Sequence, residues 1–112
     1  LLNPLRNLLM HRFINLITLV FLSSSAGLVQ ANYDLLQQKN CFACHYMDKR
    51  KYGPNFKEIS AKYAKVSTAE ELLAKKIRAG GTGVWGEDMM PPQPQVSDAE
   101  ARVIAKFILS LK

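Results

Sequence analysis

The stretch Cys41-Phe42-Ala43-Cys44-His45 combines residue types and a spacing that specify a particular chemistry. Two thiols three positions apart can each add to a vinyl group of a porphyrin, and an imidazole directly after the second can coordinate its iron. One turn of chain sets both sulfurs along one porphyrin edge and swings the histidine beneath its centre. A thioredoxin-type dithiol shares the cysteine spacing, but it requires a βαβ setting and has no use for the histidine. Structural zinc needs four ligands, and beyond the N-terminal leader only Cys41, Cys44 and His45 are strong ones. A disulfide would close a very small loop. The mechanism of the motif favours a covalently attached c-type haem.

Such a site needs elements to hold it. Asn32 is placed to cap a short helix from Tyr33 to Asn40, with Leu35 and Leu36 as its apolar contacts, leading straight into the motif. After His45 comes the polar and basic run Tyr46-Met47-Asp48-Lys49-Arg50-Lys51, closed by Tyr52-Gly53-Pro54. There Gly53 permits unusual backbone angles and Pro54 fixes its own. Phe56, Ile59 and Tyr63 fall at helical spacing and predict a helix from Phe56 to Ala64. Ser67 or Thr68 can cap the next helix, which has Glu70 and Glu71 in its first turn, apolar Leu72, Leu73 and Ile77, basic Lys75, Lys76 and Arg78, and Gly80-Gly81 at its end.

From Gly80 to Val96 glycines and prolines replace helical signal. Glycines allow close approach to a flat ligand, and Pro91, Pro92 and Pro94 stiffen an extended strap. The cargo of that strap is a thioether, from Met89 or Met90. Ser97-Asp98-Ala99-Glu100 is a capping box opening a helix from Asp98 to Ser110. Its apolar stripe is Ile104, Phe107, Ile108 and Leu111, broadened by Val103. Nothing after the leader alternates as a strand, so the expected fold is all-α, about four helices joined by ordered loops.

The chain has 112 residues, enough for one domain. Its N-terminal part reads as a secretory signal: basic His11 and Arg12, an apolar run from Phe13 to Leu22 broken only by Asn15 and Thr18, and Val29-Gln30-Ala31 as a small-residue cleavage site. As a helix that run would be about 15 Å long against a hydrocarbon core of about 30 Å, so no permanent membrane anchor is expected. The same pattern places the translation start at Met10, with an upstream extension before it, and gives a leader at 1–31 and a mature domain at 32–112. The domain has thirteen Lys and Arg against nine Asp and Glu, a formal +4. These charges are dispersed among the acids, which argues against a nucleic-acid surface. A domain so small usually needs a staple, and haem can serve as one.

Taken together, Cys41-Phe42-Ala43-Cys44-His45, Gly53-Pro54, Gly83-Val84-Trp85-Gly86, Met90-Pro91-Pro92 and Val96-Ser97-Asp98 resemble the short bacterial class I cytochromes c of the c-551 type. The resemblance covers essentially all of 32–112 in order. It implies the class I cytochrome c fold, four helices wrapped round one haem, with Leu35, Leu36 and Phe107 where first and last helices cross. It implies haem c attached through Cys41 and Cys44, iron held by His45 and Met90, the Pro54 carbonyl accepting from the His45 ring, and Trp85 and Lys76 as propionate contacts. The chain departs from the pattern in having Gln93 where asparagine is common, and one extra residue around Pro94 or Gln95.

The implied function is that of a soluble, monomeric, periplasmic electron carrier and not an enzyme, since both axial positions are filled. Lys39, Lys49, Arg50, Lys51 and Lys57 form a candidate docking rim for an acidic partner. The partners the resemblance suggests are a nitrite reductase, a terminal oxidase, a peroxidase or a cytochrome bc1-type donor. The alternatives are a haem enzyme or gas-binding protein with a labile sixth ligand, and a haem-bearing subunit of an oxidase or reductase complex.

Overall fold

The computed structural model describes residues 3–21 and 26–112, with side-chain surroundings for 3–12 and 32–112. The chain divides into two compact units, residues 1–31 and 32–112. The readings that rest on Leu22 to Ser25 and on the side chains of the apolar run lie outside the described residues. Helix α1 spans Pro4–Phe21. Among the described residues no helix is long and apolar enough to cross a membrane.

Helix α2 spans Ala26–Gln38, so Asn32 lies within it and does not cap a helix beginning at Tyr33. No proline interrupts the preceding residues, and the helix continues through a position whose residue type alone suggested a start. It ends where Asn40 adopts the left-handed conformation, with φ 61°, which asparagine tolerates better than most residues. That reversal feeds a single 3-10 turn over Cys41–Ala43, closed by the His45 N–H donating to the Cys41 carbonyl at 3.0 Å.

Helix α3 spans Phe56–Tyr63 and α4 spans Ala69–Ala79. A capping box opens α3: the Asn55 side chain accepts from the Glu58 N–H, and the Glu58 carboxylate accepts from the Asn55 N–H. Thr68 occupies the cap position of α4 without a side-chain bond to its backbone. Helix α5 spans Asp98–Leu109 and opens on the reciprocal Ser97 and Glu100 bonds. It packs along α4 and, over a smaller area, against α3. The Ser60 hydroxyl lies 2.7 Å from the Leu111 carbonyl and 3.1 Å from the Leu109 carbonyl, so its one proton is shared between acceptors at and just beyond the end of α5.

The core is one cluster containing Leu36, Phe56, Leu73, Val96, Ile104 and Phe107, with Leu35 and Leu111 packed against it. Leu36 and Phe107 therefore share one apolar interior. Two residues expected on apolar faces are exposed instead, Leu72 and Val103. Each lies beside the buried stripe of its helix, and a stripe can be filled without them. Among the described residues no strand forms; the nearest approach to one is an isolated antiparallel pairing of Gly81 with Met90.

Candidate functional site

Local geometry sets His45 before any ligand is considered. Its Nδ1 lies 2.7 Å from the Pro54 carbonyl oxygen, and the ring is buried. A carbonyl can only accept, so Nδ1 donates in this bond, and in the neutral ring the lone pair then lies on Nε2. Phe56, at the first turn of α3, stacks on the imidazole with centroids 5.3 Å apart. The backbone N–H of Phe56 donates to the Tyr46 carbonyl, so the loop after the motif and the start of α3 are joined directly beside the ring.

Gly53 serves this packing in a different way from the one its residue type suggests. Its φ is not positive; what matters is the missing side chain. A Cβ there would lie 2.5 Å from Cε1 of His45 and 2.8 Å from its Nδ1. Glycine lets the backbone pass close to the imidazole just before Pro54, whose carbonyl meets Nδ1, while the Gly53 N–H donates to the Cys44 carbonyl at 2.9 Å.

Cys41, Cys44, His45, Pro54, Trp85 and Met90 all line one cavity of about 460 Å³, to which Lys76 and Met89 also contribute. Both cysteines are free thiols. Burial pushes the Cys41 thiol above its ordinary pKa, outweighing a backbone hydrogen bond that lowers it. Among the described residues no group of three or more His, Cys, Asp or Glu is placed to hold a metal ion.

The two methionines differ in environment. Met89 is 70% exposed, whereas Met90 is half-buried. Met90 exchanges two backbone hydrogen bonds of 2.9 Å with Gly81. Gly80, with φ 69°, is backed so closely against the strap that a Cβ would strike the Met90 carbonyl and the Pro91–Pro92 backbone. The glycine at the end of α4 thus makes room for the methionine strap. Beyond Met90, the Gln93 amide donates to the Pro91 carbonyl at 2.9 Å and its oxygen accepts from Gln95 at 2.6 Å. The Gln93 side chain is therefore engaged along the strap.

Trp85 is half-buried, its carbonyl accepting from Arg50 at 2.8 Å and its ring facing the Lys62 ammonium at 5.1 Å. Lys49 and Lys51 both approach the Tyr46 ring at 5.1 Å. Lys39 departs from the expected rim. Its side chain is only 19% exposed and is turned inward, paired with Glu100 at 2.9 Å and donating to the Gln95 carbonyl at 2.9 Å. The stacking of Phe56 and the inward turn of Lys39 had no local sequence signal. The Asn55-x-x-Glu58 box had one, obscured by the turn residues directly before it.

The cytochrome c family model matches residues 30–112. Cytochrome c-552 of Nitrosomonas europaea is 48% identical over 87 residues, covering 78% of this chain and 84% of that protein. Cytochrome c-552 of Hydrogenobacter thermophilus is 47% identical over 94 residues, covering 84% and 95%. The crystal structure of wild-type N. europaea cytochrome c552 superposes with a TM-score of 0.70 at 48% identity, covering 71% of this chain and 99% of that one.

Proposed function

Since this chain belongs to the cytochrome c family, we propose that Cys41 and Cys44 are its thioether attachment points and that His45 and Met90 are the axial ligands of the iron. Membership makes it a small electron-transfer protein with one covalently attached haem c, a carrier and not an enzyme. The residues around the cavity fit that group: two free thiols, an imidazole with its Nε2 lone pair available, and a half-buried thioether, all lining one apolar space. This convergence is the observation that carries the assignment.

The haem, when bound, supplies a reversible one-electron change at iron. Pro54 and Phe56 hold His45 so that its ring cannot turn, and a hydrogen bond at Nδ1 raises the basicity of the opposite nitrogen. The Met90 thioether is a soft donor that favours the reduced metal and raises the potential relative to a second imidazole. Trp85 and Lys76 line the same cavity and are the propionate contacts of this reading. Lys49, Arg50, Lys51 and Lys57 form the basic rim that steers an acidic redox partner to the edge carrying the thioethers. Lys39 takes no part in that rim.

We place the carrier in the periplasm between respiratory partners, exported by a leader that is removed after Ala31. The division of the chain into compact units between Ala31 and Asn32 supports that boundary. A redox-titrated visible and near-infrared spectrum of the purified periplasmic protein tests the whole reading. Methionine-to-iron charge transfer should be present in the wild type and in Met89→Ala, and lost in Met90→Ala with a lower potential. Loss in Met89→Ala with retention in Met90→Ala would reverse the ligand choice, and rapid carbon monoxide binding by the wild-type ferrous protein at neutral pH would favour a gas-binding role.

A further inference from the structure

The strap that follows Met90 is gripped at two consecutive carbonyls by cations from the ends of two different helices. Lys39, one residue beyond α2, donates to the Gln95 carbonyl at 2.9 Å while paired with Glu100. Arg78, in the last turn of α4, donates through Nε to the Val96 carbonyl at 3.1 Å, and its Nη1 pairs with Asp98. The Arg78 backbone carbonyl in turn accepts from the Gln93 N–H at 3.0 Å. Val96, whose carbonyl Arg78 holds, is 1% exposed.

Upstream, the same strap is fixed by the paired backbone bonds between Gly81 and Met90. Between these fixings lie Pro91, Pro92 and Pro94, which lack N–H groups and cannot anchor themselves by donating. Each proline also fixes its own φ, which restricts how the segment can flex between its fixings. Hydrogen bonds from charged donors are also stronger than neutral ones, roughly twofold. Lys39 is largely screened from water, which preserves its contribution.

We propose that Lys39 and Arg78 form a two-point clamp that keeps the Met90 strap closed and so sets how often the thioether leaves the iron. The proposal rests on Met90 being the sixth ligand. Both residues are positioning residues: neither is required to touch the cofactor. The clamp also ties the segment carrying Cys41, Cys44 and His45 to the segment carrying Met90, because Lys39 stands two residues before Cys41.

The test is imidazole capture by the ferric holoprotein, whose limiting rate at saturating imidazole reports departure of the sixth ligand. Lys39→Gln and Arg78→Gln should each raise that rate, by about tenfold for Lys39 and by less for the more exposed Arg78. Lys39→Arg should restore the wild-type rate. Amide hydrogen exchange at Gly81 and Met90 should accelerate in the same variants, a readout independent of the iron.

Glu71→Gln, which breaks the exposed Glu71–Lys75 pair away from the strap, serves as a surface-charge control. If neither clamp variant exceeds that control, the proposal is overturned, and acceleration in only one overturns its two-point form. A wild-type protein that captures imidazole as fast as Met90→Ala would instead overturn the ligand assignment. Should a variant prove too unstable for kinetics, unchanged amide exchange at Gly81 and Met90 in the folded fraction would still refute the clamp.

Discussion

At the scale of single residues, this site depends on what is missing as much as on what is present. His45 is held by the Pro54 carbonyl and by the ring of Phe56, and the chain at Gly53 can pass this close to the imidazole because it has no Cβ. Gly53→Ala should therefore destabilise the holoprotein by about 1–3 kcal/mol, the usual cost of forcing a methyl group into a filled site. By NMR the His45 Nδ1–H should exchange with solvent faster as its bond to Pro54 lengthens. An alanine variant with unchanged unfolding midpoint and exchange would remove Gly53 from the positioning of His45. That Cys41, Cys44, His45 and Met90 line one cavity was anticipated in sequence by the cysteine-histidine spacing for the first three, and for Met90 over Met89 by the family resemblance alone. Lys39 was not, because a lysine beside a basic loop reads as a surface charge until Gln95 and Glu100 are brought to it from the far end of the chain.

Helix boundaries follow the same division between local and distant causes. The Ser97/Glu100 box and the glycines ending α4 were readable because both partners lie within one turn of chain. The start of α2 was misread, since Asn32 has a capping side chain but no break in the helix before it. Ser97→Ala removes the acceptor for the Glu100 N–H and should cost about 1 kcal/mol, measured by chemical denaturation. The Glu100 carboxylate adds a pH dependence. The Ser97 backbone N–H, and after it the side-chain bond from Lys39, hold the Glu100 carboxyl below its usual range. A depressed folded pKa means that the contribution is complete above the ordinary carboxylate pKa and is lost as pH falls through the folded value. Glu100→Gln should accordingly be less stable than wild type at neutral pH, and the gap should close on acidification. A gap that stays constant across that range would show that the carboxylate charge contributes nothing there.

For the molecule as a whole, the cavity determines whether residues 32–112 can fold alone. Its apolar core of helices α3 to α5 and the end of α2 surrounds a space of about 460 Å³. At about 24 cal/mol per Å³, leaving it empty would cost at most about 11 kcal/mol, a ceiling lowered by water entry and partial collapse. A domain of this size has a total stability of about 5–15 kcal/mol, so the penalty is of the same order as everything holding the fold. The covalent haem is therefore expected to serve as a structural component as well as a redox one in a chain with so small a core. Replacing both Cys41 and Cys44 by alanine should prevent covalent attachment. Circular dichroism should then show loss of much of the helix content, and heating should give a broad transition in place of a cooperative one. If the double variant, purified free of haem, kept native helicity and a sharp melt, the helices would be self-sufficient and the cavity a tolerated void.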